Sequence, residues 1–179
     1  MNFKNINAMH RTVLLNPGPV NITEKVRKAM TLPDICHREK EFSELMSSIR
    51  SKLLQAFKIE EDFTSVLVSG SGTSALEMAV SSSLTPGRSI LVIENGVYGE
   101  RIGKICDIYN FHRHTIQVKW GVPPNLDDVE NILKKQSDIE VVSLVHHETT
   151  TGLLNPLKGI GELAKKYKKI FLVDCISSL

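Results

Sequence analysis

Four stretches of this chain end in side chains suited to chemistry, and their types suit one kind of ligand. Gly70-Ser-Gly-Thr73 follows the apolar, β-branched run Thr64-Ser-Val-Leu-Val-Ser69 and is followed at once by a helical pattern. A glycine-rich turn between a strand and a helix lets backbone N–H groups face an anion. Ser71 and Thr73 add hydroxyls there, at the positive end of the helix dipole. Glu94-Asn-Gly-Val-Tyr98, His146-His-Glu-Thr149-Thr-Thr-Gly152 and Asp174 close three further apolar runs. Such a set fits a ligand with a phosphate, a flat ring and a basic ring nitrogen. Helix amides hold the phosphate, Tyr98 stacks on the ring, and Asp174 pairs with the protonated nitrogen. Pyridoxal phosphate has these three features, and a carboxylate on its pyridinium keeps the ring an electron sink.

Each residue also has a plain structural reading. The Gly-x-Gly turn can be a tight connection in an α/β sheet, Asp174 can cap the next turn, and Tyr98 can be a core aromatic at a helix start. Glu77 reads as solvated or paired. A rival ligand is a dinucleotide, because Gly70-x-Gly72-x-x-Ala75 fits that fingerprint and Glu94 stands near the place of a ribose-binding acid. That reading leaves Asp174 and the Thr149-Thr-Thr-Gly152 turn without a role. His146-His147 invites a metal, but neighbours on a strand point to opposite faces, so no metal site is expected. The three cysteines, Cys36, Cys106 and Cys175, are too widely spaced for a disulfide framework or a metal pair. Cys106 falls in a helical pattern as a core residue, and Cys175 follows a strand end, where a nucleophile can stand.

The elements that must position these groups alternate along the chain. Leu15-Asn-Pro-Gly-Pro19 makes a stiff extended turn, and Asn21 or Thr23 caps a short helix that runs toward Met30. Glu39–Phe57 reads as an amphipathic helix with Phe42, Leu45, Met46, Ile49, Leu53 and Phe57 on one stripe, which is expected in the core. Strands are expected at Val66–Ser69, Ser89–Ile93, His112–Lys119, Glu140–His146 and Lys169–Asp174. Helices are expected between them at Thr73–Leu84, Tyr98–Asn110, Leu126–Gln136 and Leu157–Lys168. Such alternation predicts an α/β fold, a mostly parallel sheet with helices on both faces. Its ligands sit outside the carboxyl ends of the strands. Residues 1–20 read as an extended N-terminal segment and residues 21–179 as an α/β domain. That domain reads as incomplete, since Ile170–Leu179 is an interior strand and the start of a loop.

Composition narrows the function classes. A chain of 179 residues with 41% hydrophobic and 23% charged residues is long enough for one good core. Its net charge of +2, with scattered basic residues, argues against nucleic acid or an acidic membrane surface as a partner. No apolar run reaches the roughly 20 residues of a membrane span. The first residues lack the apolar core of a signal peptide, so a cytoplasmic protein is expected.

Taken together, the motifs resemble the N-terminal half of class V, fold-type-I pyridoxal-phosphate aminotransferases. The resemblance runs from Leu14 to Leu179. It rests on Leu15-Asn-Pro-Gly-Pro19, Ser69-Gly-Ser-Gly-Thr-Ser-Ala-Leu-Glu77, Asn95-Gly-Val-Tyr-Gly99, His147-Glu-Thr-Thr-Thr-Gly-Leu-Leu-Asn-Pro156 and Val173-Asp-Cys-Ile-Ser-Ser178. Within the family the likeness is greatest to the transaminases of 2-aminoethylphosphonate and pyruvate. His37-Arg-Glu-Lys-Glu-Phe42 is also similar to the alanine–glyoxylate and serine–pyruvate branch. The fold implied is a truncated large domain of the aspartate aminotransferase-like, PLP-dependent transferase type.

The resemblance implies that Ser71, Gly72 and Thr73 bind the phosphate of pyridoxal 5'-phosphate, that Tyr98 covers its ring and that Thr149 gives a hydroxyl contact. Asp174 matches the partner of the pyridine nitrogen, Ile176 packs on the ring, and Asn16, Pro17 and Gly18 line the substrate mouth. It further implies a small-molecule amino donor, a 2-oxo acid acceptor and a homodimer. The lysine that forms the internal Schiff base lies past Leu179 in the family pattern, so no catalytic residue is expected within these residues, and the 179-residue chain alone is expected to be inactive. Two other readings stay open: a non-catalytic fragment that binds a phosphorylated ligand, and a nicotinamide-dependent oxidoreductase.

Overall fold

The run Ser-Ile-Leu-Val-Ile-Glu, residues 89–94, is buried at five of its six positions, a pattern that suits a strand covered on both faces. In the computed structural model, which describes residues 12–16 and 18–179, this run is the first of six strands. They are β1 (Ser89–Glu94), β2 (His112–Gln117), β3 (Ile139–Val145), β4 (His147–Glu148), β5 (Leu153–Leu154) and β6 (Ile170–Asp174). Four of them form a sheet in the order β2-β1-β3-β6, with every neighbouring pair parallel. The short β4 and β5 pair antiparallel as a small hairpin that the sequence reading did not contain.

The chain divides into two units, one ending at Leu67 and the other spanning Val68–Leu179. In the second unit the helices are α3 (Gly72–Ser83), α4 (Val97–Ile108), α5 (Leu126–Lys135) and α6 (Leu157–Lys166). Alternate strand residues point to opposite faces, and the sheet accordingly has two separate apolar layers. Leu91, Ile93, Val142 and Leu144 pack with Val129 and Leu133 of α5 and Ile160 of α6. Ile90, Val92 and Val141 pack on the other side with Leu76 and Val80 of α3 and Ile102 of α4. Cys106 is wholly buried in that second layer, as expected. α5 begins where the Asn125 side chain accepts the Asp127 N–H at 2.8 Å, with acidic residues in its first turn and lysines in its last, in accord with its dipole.

The first unit holds α1 (Glu24–Ala29) and α2 (Lys40–Phe57). Thr23 caps α1 through the Val26 N–H, and α2 ends at Lys58 in the left-handed conformation. Two expectations fail here. No residue of α2 is buried, and Leu45, Ile49, Leu53 and Phe57 of its apolar stripe are exposed. Periodicity marks a face that seeks cover, but α1 and the irregular chain of the same unit do not supply it. Val66–Ser69 is also not a strand, and Val66 and Val68 are exposed. A strand needs a neighbour for its ladder, and no strand among the described residues pairs with this one. No helix of the described residues is long and apolar enough to cross a membrane.

Candidate functional site

Because the four sheet strands are parallel, Glu94, Val145 and Asp174 end β1, β3 and β6 on one edge of the sheet. The His146 N–H donates to the Asp174 carbonyl at 2.9 Å, which fixes two of these ends together. Asp174 is buried, and its Oδ1 accepts the Ile176 N–H at 3.1 Å, so the carboxylate does brace the following turn. That is its one hydrogen bond among the described residues, and its remaining acceptor capacity is available to a ligand.

The α3 N-terminus faces the same region. Ser71 is the N-cap residue, yet its side chain makes no capping bond. The Ser71 carbonyl takes the N–H groups of Ser74 and Ala75, and the first N–H groups of a helix have no partner within it. A Cβ at Gly72 would collide with the Ile176 side chain. A side chain at this position would have to push Ile176 aside, so the turn after β6 closes on α3 here and Ile176 stands beside the cradle.

Arg101 joins this cradle to Tyr98, and the sequence reading missed it. Its Nη1 donates to Thr73 Oγ1 at 3.0 Å, and its guanidinium carbon lies 4.8 Å from the centre of the Tyr98 ring. Tyr98 and Arg101 are three residues apart on α4 and so share a face. That spacing, Tyr98-Gly-Glu-Arg101, was the available signal. The guanidinium makes no ion pair among the described residues. Half-buried, beside a hydroxyl and free helix amides, it favours an anion with several oxygens.

Glu148 fixes the position of Tyr98. Its side chain is fully buried and accepts the N–H groups of Tyr98 at 3.0 Å and Gly99 at 3.3 Å on Oε2. Oε1 accepts the Thr150 hydroxyl at 2.6 Å. The carboxyl thus caps α4 from another part of the chain, at the end where a negative charge is favoured. A Cβ at Gly96 would strike the Glu148 carboxyl, and one at Gly99 would come within 2.6 Å of the Ile93 carbonyl. Both glycines of Asn95-Gly-Val-Tyr-Gly99 exist because this helix start is pressed against β1 and Glu148. Asn95 and Asn155, both buried, brace the same end: Asn95 donates to Asn155 at 2.8 Å, and Asn155 donates to the Val145 carbonyl at 2.8 Å.

The other candidates fall as follows. Ser71, Gly72, Thr73, Tyr98, Asp174 and Ile176 lie on the linked elements just described. Thr149 is half-buried next to Glu148, and its side chain has no hydrogen bond among the described residues. Asn16 and Gly18 are exposed in the first unit, and Pro17 lies outside the described residues. Glu94 is turned to Arg113 at 2.8 Å, and burial pushes its carboxyl up against the lowering pull of that guanidinium. It is committed within the protein, which weakens the dinucleotide reading. His146 and His147 engage different serines, Ser178 at 3.0 Å and Ser177, and do not converge. Glu77 accepts the Tyr109 hydroxyl at 2.7 Å.

Residues 23–179 match the family described as aminotransferase class-V. The chain belongs to this family. It is 40% identical over 169 residues to an uncharacterized aminotransferase of Methanocaldococcus jannaschii, covering 94% of this chain and 43% of that protein. It is 38% identical over 167 residues to a 2-aminoethylphosphonate–pyruvate transaminase of Vibrio vulnificus, covering 93% of this chain and 45% of the relative. Among solved structures, alanine–glyoxylate aminotransferase from Nostoc sp. superposes with a TM-score of 0.84 at 31% identity, covering all of this chain and 48% of that one. The chain therefore spans less than half the length of these class-V relatives. Class-V aminotransferases work with pyridoxal phosphate, and the donor set at the α3 N-terminus suits its phosphate.

Proposed function

We propose that the whole protein is a pyridoxal-phosphate transaminase that moves the amino group of 2-aminoethylphosphonate to pyruvate, giving phosphonoacetaldehyde and alanine. The observation that carries the cofactor part is the convergence of the uncapped α3 N-terminus, Thr73, Arg101 and Tyr98 on one edge of the sheet. Several relatives that bear this substrate in their names support the donor, among them those of Vibrio vulnificus and Bacillus cytotoxicus at 38% and 39% identity.

The bound cofactor supplies the aldehyde and the electron sink for moving an amino group. The backbone N–H groups of Gly72 and Thr73, with the hydroxyls of Ser71 and Thr73, hold its phosphate. Tyr98 would cover the ring and Ile176 would pack on it. Asp174 would accept a hydrogen bond from the pyridine N–H and so hold the proton on that nitrogen. Thr149 would give a hydroxyl contact. The lysine that carries the cofactor aldehyde is assigned to the whole protein outside these 179 residues. Lys165, Lys166, Lys168 and Lys169 do not take its place. They follow or end α6 ahead of β6, at the strand end opposite Asp174, and Lys166 is bonded to Glu130 at 2.6 Å. A cytoplasmic homodimer is part of the proposal.

The test is to supply the full-length enzyme with 2-aminoethylphosphonate and pyruvate, and in parallel with alanine and glyoxylate. Turnover of the first pair supports the proposal. Turnover of the second pair alone favours the alternative raised by the likeness to the Nostoc structure. Failure of the chain to bind pyridoxal phosphate while binding a dinucleotide overturns both.

A further inference from the structure

At the opposite edge of the sheet, away from the proposed cofactor site, a cluster has donor chemistry that the transamination does not use. His112 and His114 are two apart on the edge strand β2, so their side chains share a face while Arg113 turns to the other. Arg113 is held there by Asp107 and Glu94, each at 2.8 Å. Asp138, in the turn between α5 and β3, reaches the histidine face. His112 Nδ1 lies 3.2 Å and His114 Nε2 lies 3.0 Å from the same Asp138 oxygen, Oδ2.

The three donor atoms all lie within 4.8 Å of one another. A tetrahedral zinc ion with bonds of about 2.0–2.1 Å sets its donors about 3.3–3.4 Å apart. The two imidazole–carboxylate spacings already approach that value, so an ion enters with shifts of a few tenths of an ångström in these contacts. Both ion-pair partners of Asp138 are imidazoles, and neither lysine nor arginine competes for its carboxylate among the described residues. The Asp138 backbone is fixed, because its carbonyl accepts the Ser89 N–H at 3.1 Å. Two rigid anchors and one exposed ring, His112 at 68% side-chain exposure, leave the solvent side open for a fourth ligand.

We infer that His112, His114 and Asp138 form a binding site for a divalent transition-metal ion of the zinc class, with water as the fourth ligand. Two imidazoles and one carboxylate suit zinc, cobalt or nickel better than calcium or magnesium, which prefer oxygen donors. Filled, the site ties the edge strand β2 to the start of β3 across β1. Its role is to lock the outer sheet, and it is independent of the cofactor reading.

The experiment uses the full-length protein, stripped with a chelator and titrated with Co2+ and then Zn2+. One equivalent per chain is expected, with the visible bands of four-coordinate cobalt, displacement of those bands by zinc, and a raised melting temperature. His112→Ala and Asp138→Asn are each expected to weaken that equivalent by about an order of magnitude or more. Because His112 is exposed, its variant decides the matter even if Asp138→Asn folds poorly. A wild-type protein with no bound equivalent overturns the inference. So does an equivalent that binds unchanged in His112→Ala, since it then lies at a cysteine or at another histidine.

Discussion

Glu148→Gln changes the charge of one buried group while keeping its size, and so isolates what the carboxylate does for Tyr98. In the wild-type protein Oε2 takes two backbone N–H groups at the start of α4, and Oε1 takes the Thr150 hydroxyl. A glutamine retains one oxygen for the two amides, and the Thr150 hydroxyl can rotate to accept from its NH2. The loss is then the difference between charged and neutral acceptors plus the interaction with the helix N-terminus, about 1–2 kcal/mol. Glu148→Ala instead leaves the Tyr98 and Gly99 N–H groups without their partner and a cavity beside them, about 3–5 kcal/mol, while the exposed Thr150 hydroxyl turns to water. If part of the glutamine cost falls on the position of Tyr98, cofactor affinity drops about tenfold for each 1.4 kcal/mol so spent. Urea unfolding of the full-length protein and titration with pyridoxal phosphate, followed by absorbance, measure both effects. The ordering wild type, Gln, Ala should hold in each. A Glu148→Gln protein with wild-type midpoint and wild-type cofactor affinity refutes the reasoning, as does an alanine variant no weaker than the glutamine one.

Four further outcomes are expected. Arg101→Met should lower cofactor affinity by one to two orders of magnitude while moving the unfolding midpoint little, and Arg101→Lys should recover only part, because an ammonium lacks the planar fork. Asn155→Ala, which removes the partner of buried Asn95 and of the Val145 carbonyl, should cost about 2–4 kcal/mol in denaturant unfolding. Burial pushes the Cys106 thiol up to about 11, so a thiol reagent at pH 8 should label exposed Cys36 quickly and Cys106 only after denaturation. Hydrogen bonds from Lys166 and then Tyr167 lower the Glu130 carboxyl from 4.5 to about 2. Its folded value lies below its unfolded one, so its contribution is present above pH 4.5 and is lost as pH falls from there toward 2. Glu130→Gln should therefore flatten the acid limb of a stability–pH curve, and an unchanged slope between pH 5 and 2.5 counts against it.

Much of the fold is written in local pattern. The runs at 89–93 and 141–145 are so uniformly apolar that only covered strands can hold them, and Asp174 closes a third such run. What periodicity does not encode is the cover. The α2 stripe has perfect spacing and no partner within its own unit, and Val66–Ser69 has strand composition but no neighbour to pair with. The site divides along the same line. Tyr98 and Asp174 are visible because they close apolar runs that become strands, and Ser71 and Thr73 because a glycine-rich turn opens a helix there. Glu148 stands in a polar run beside the histidine pair, and nothing local says that the start of α4 rests on it. Arg101 and the His112–His114 pair were passed over for a similar reason: each gains its meaning from a residue brought close by the fold, Thr73 in one case and Asp138 in the other.

The strand order β2-β1-β3-β6 also bears on how the chain assembles. Each pairing joins strands separated by one crossover or two, and none needs β6 before β3 is in place. β1 and β2, joined by the shortest connection between paired strands of the four-stranded sheet, residues 95–111, are therefore the pair expected to form first, and β6 waits for β3. Loop-closure entropy is spent in short instalments, which favours growth from the β1–β2 pair. Pulsed amide exchange during refolding should show β1 and β2 protected first, with β3, β6 and the hairpin of β4 and β5 following. The proposed cofactor edge would then be the late-folding edge, closed only when Ile176 reaches Gly72.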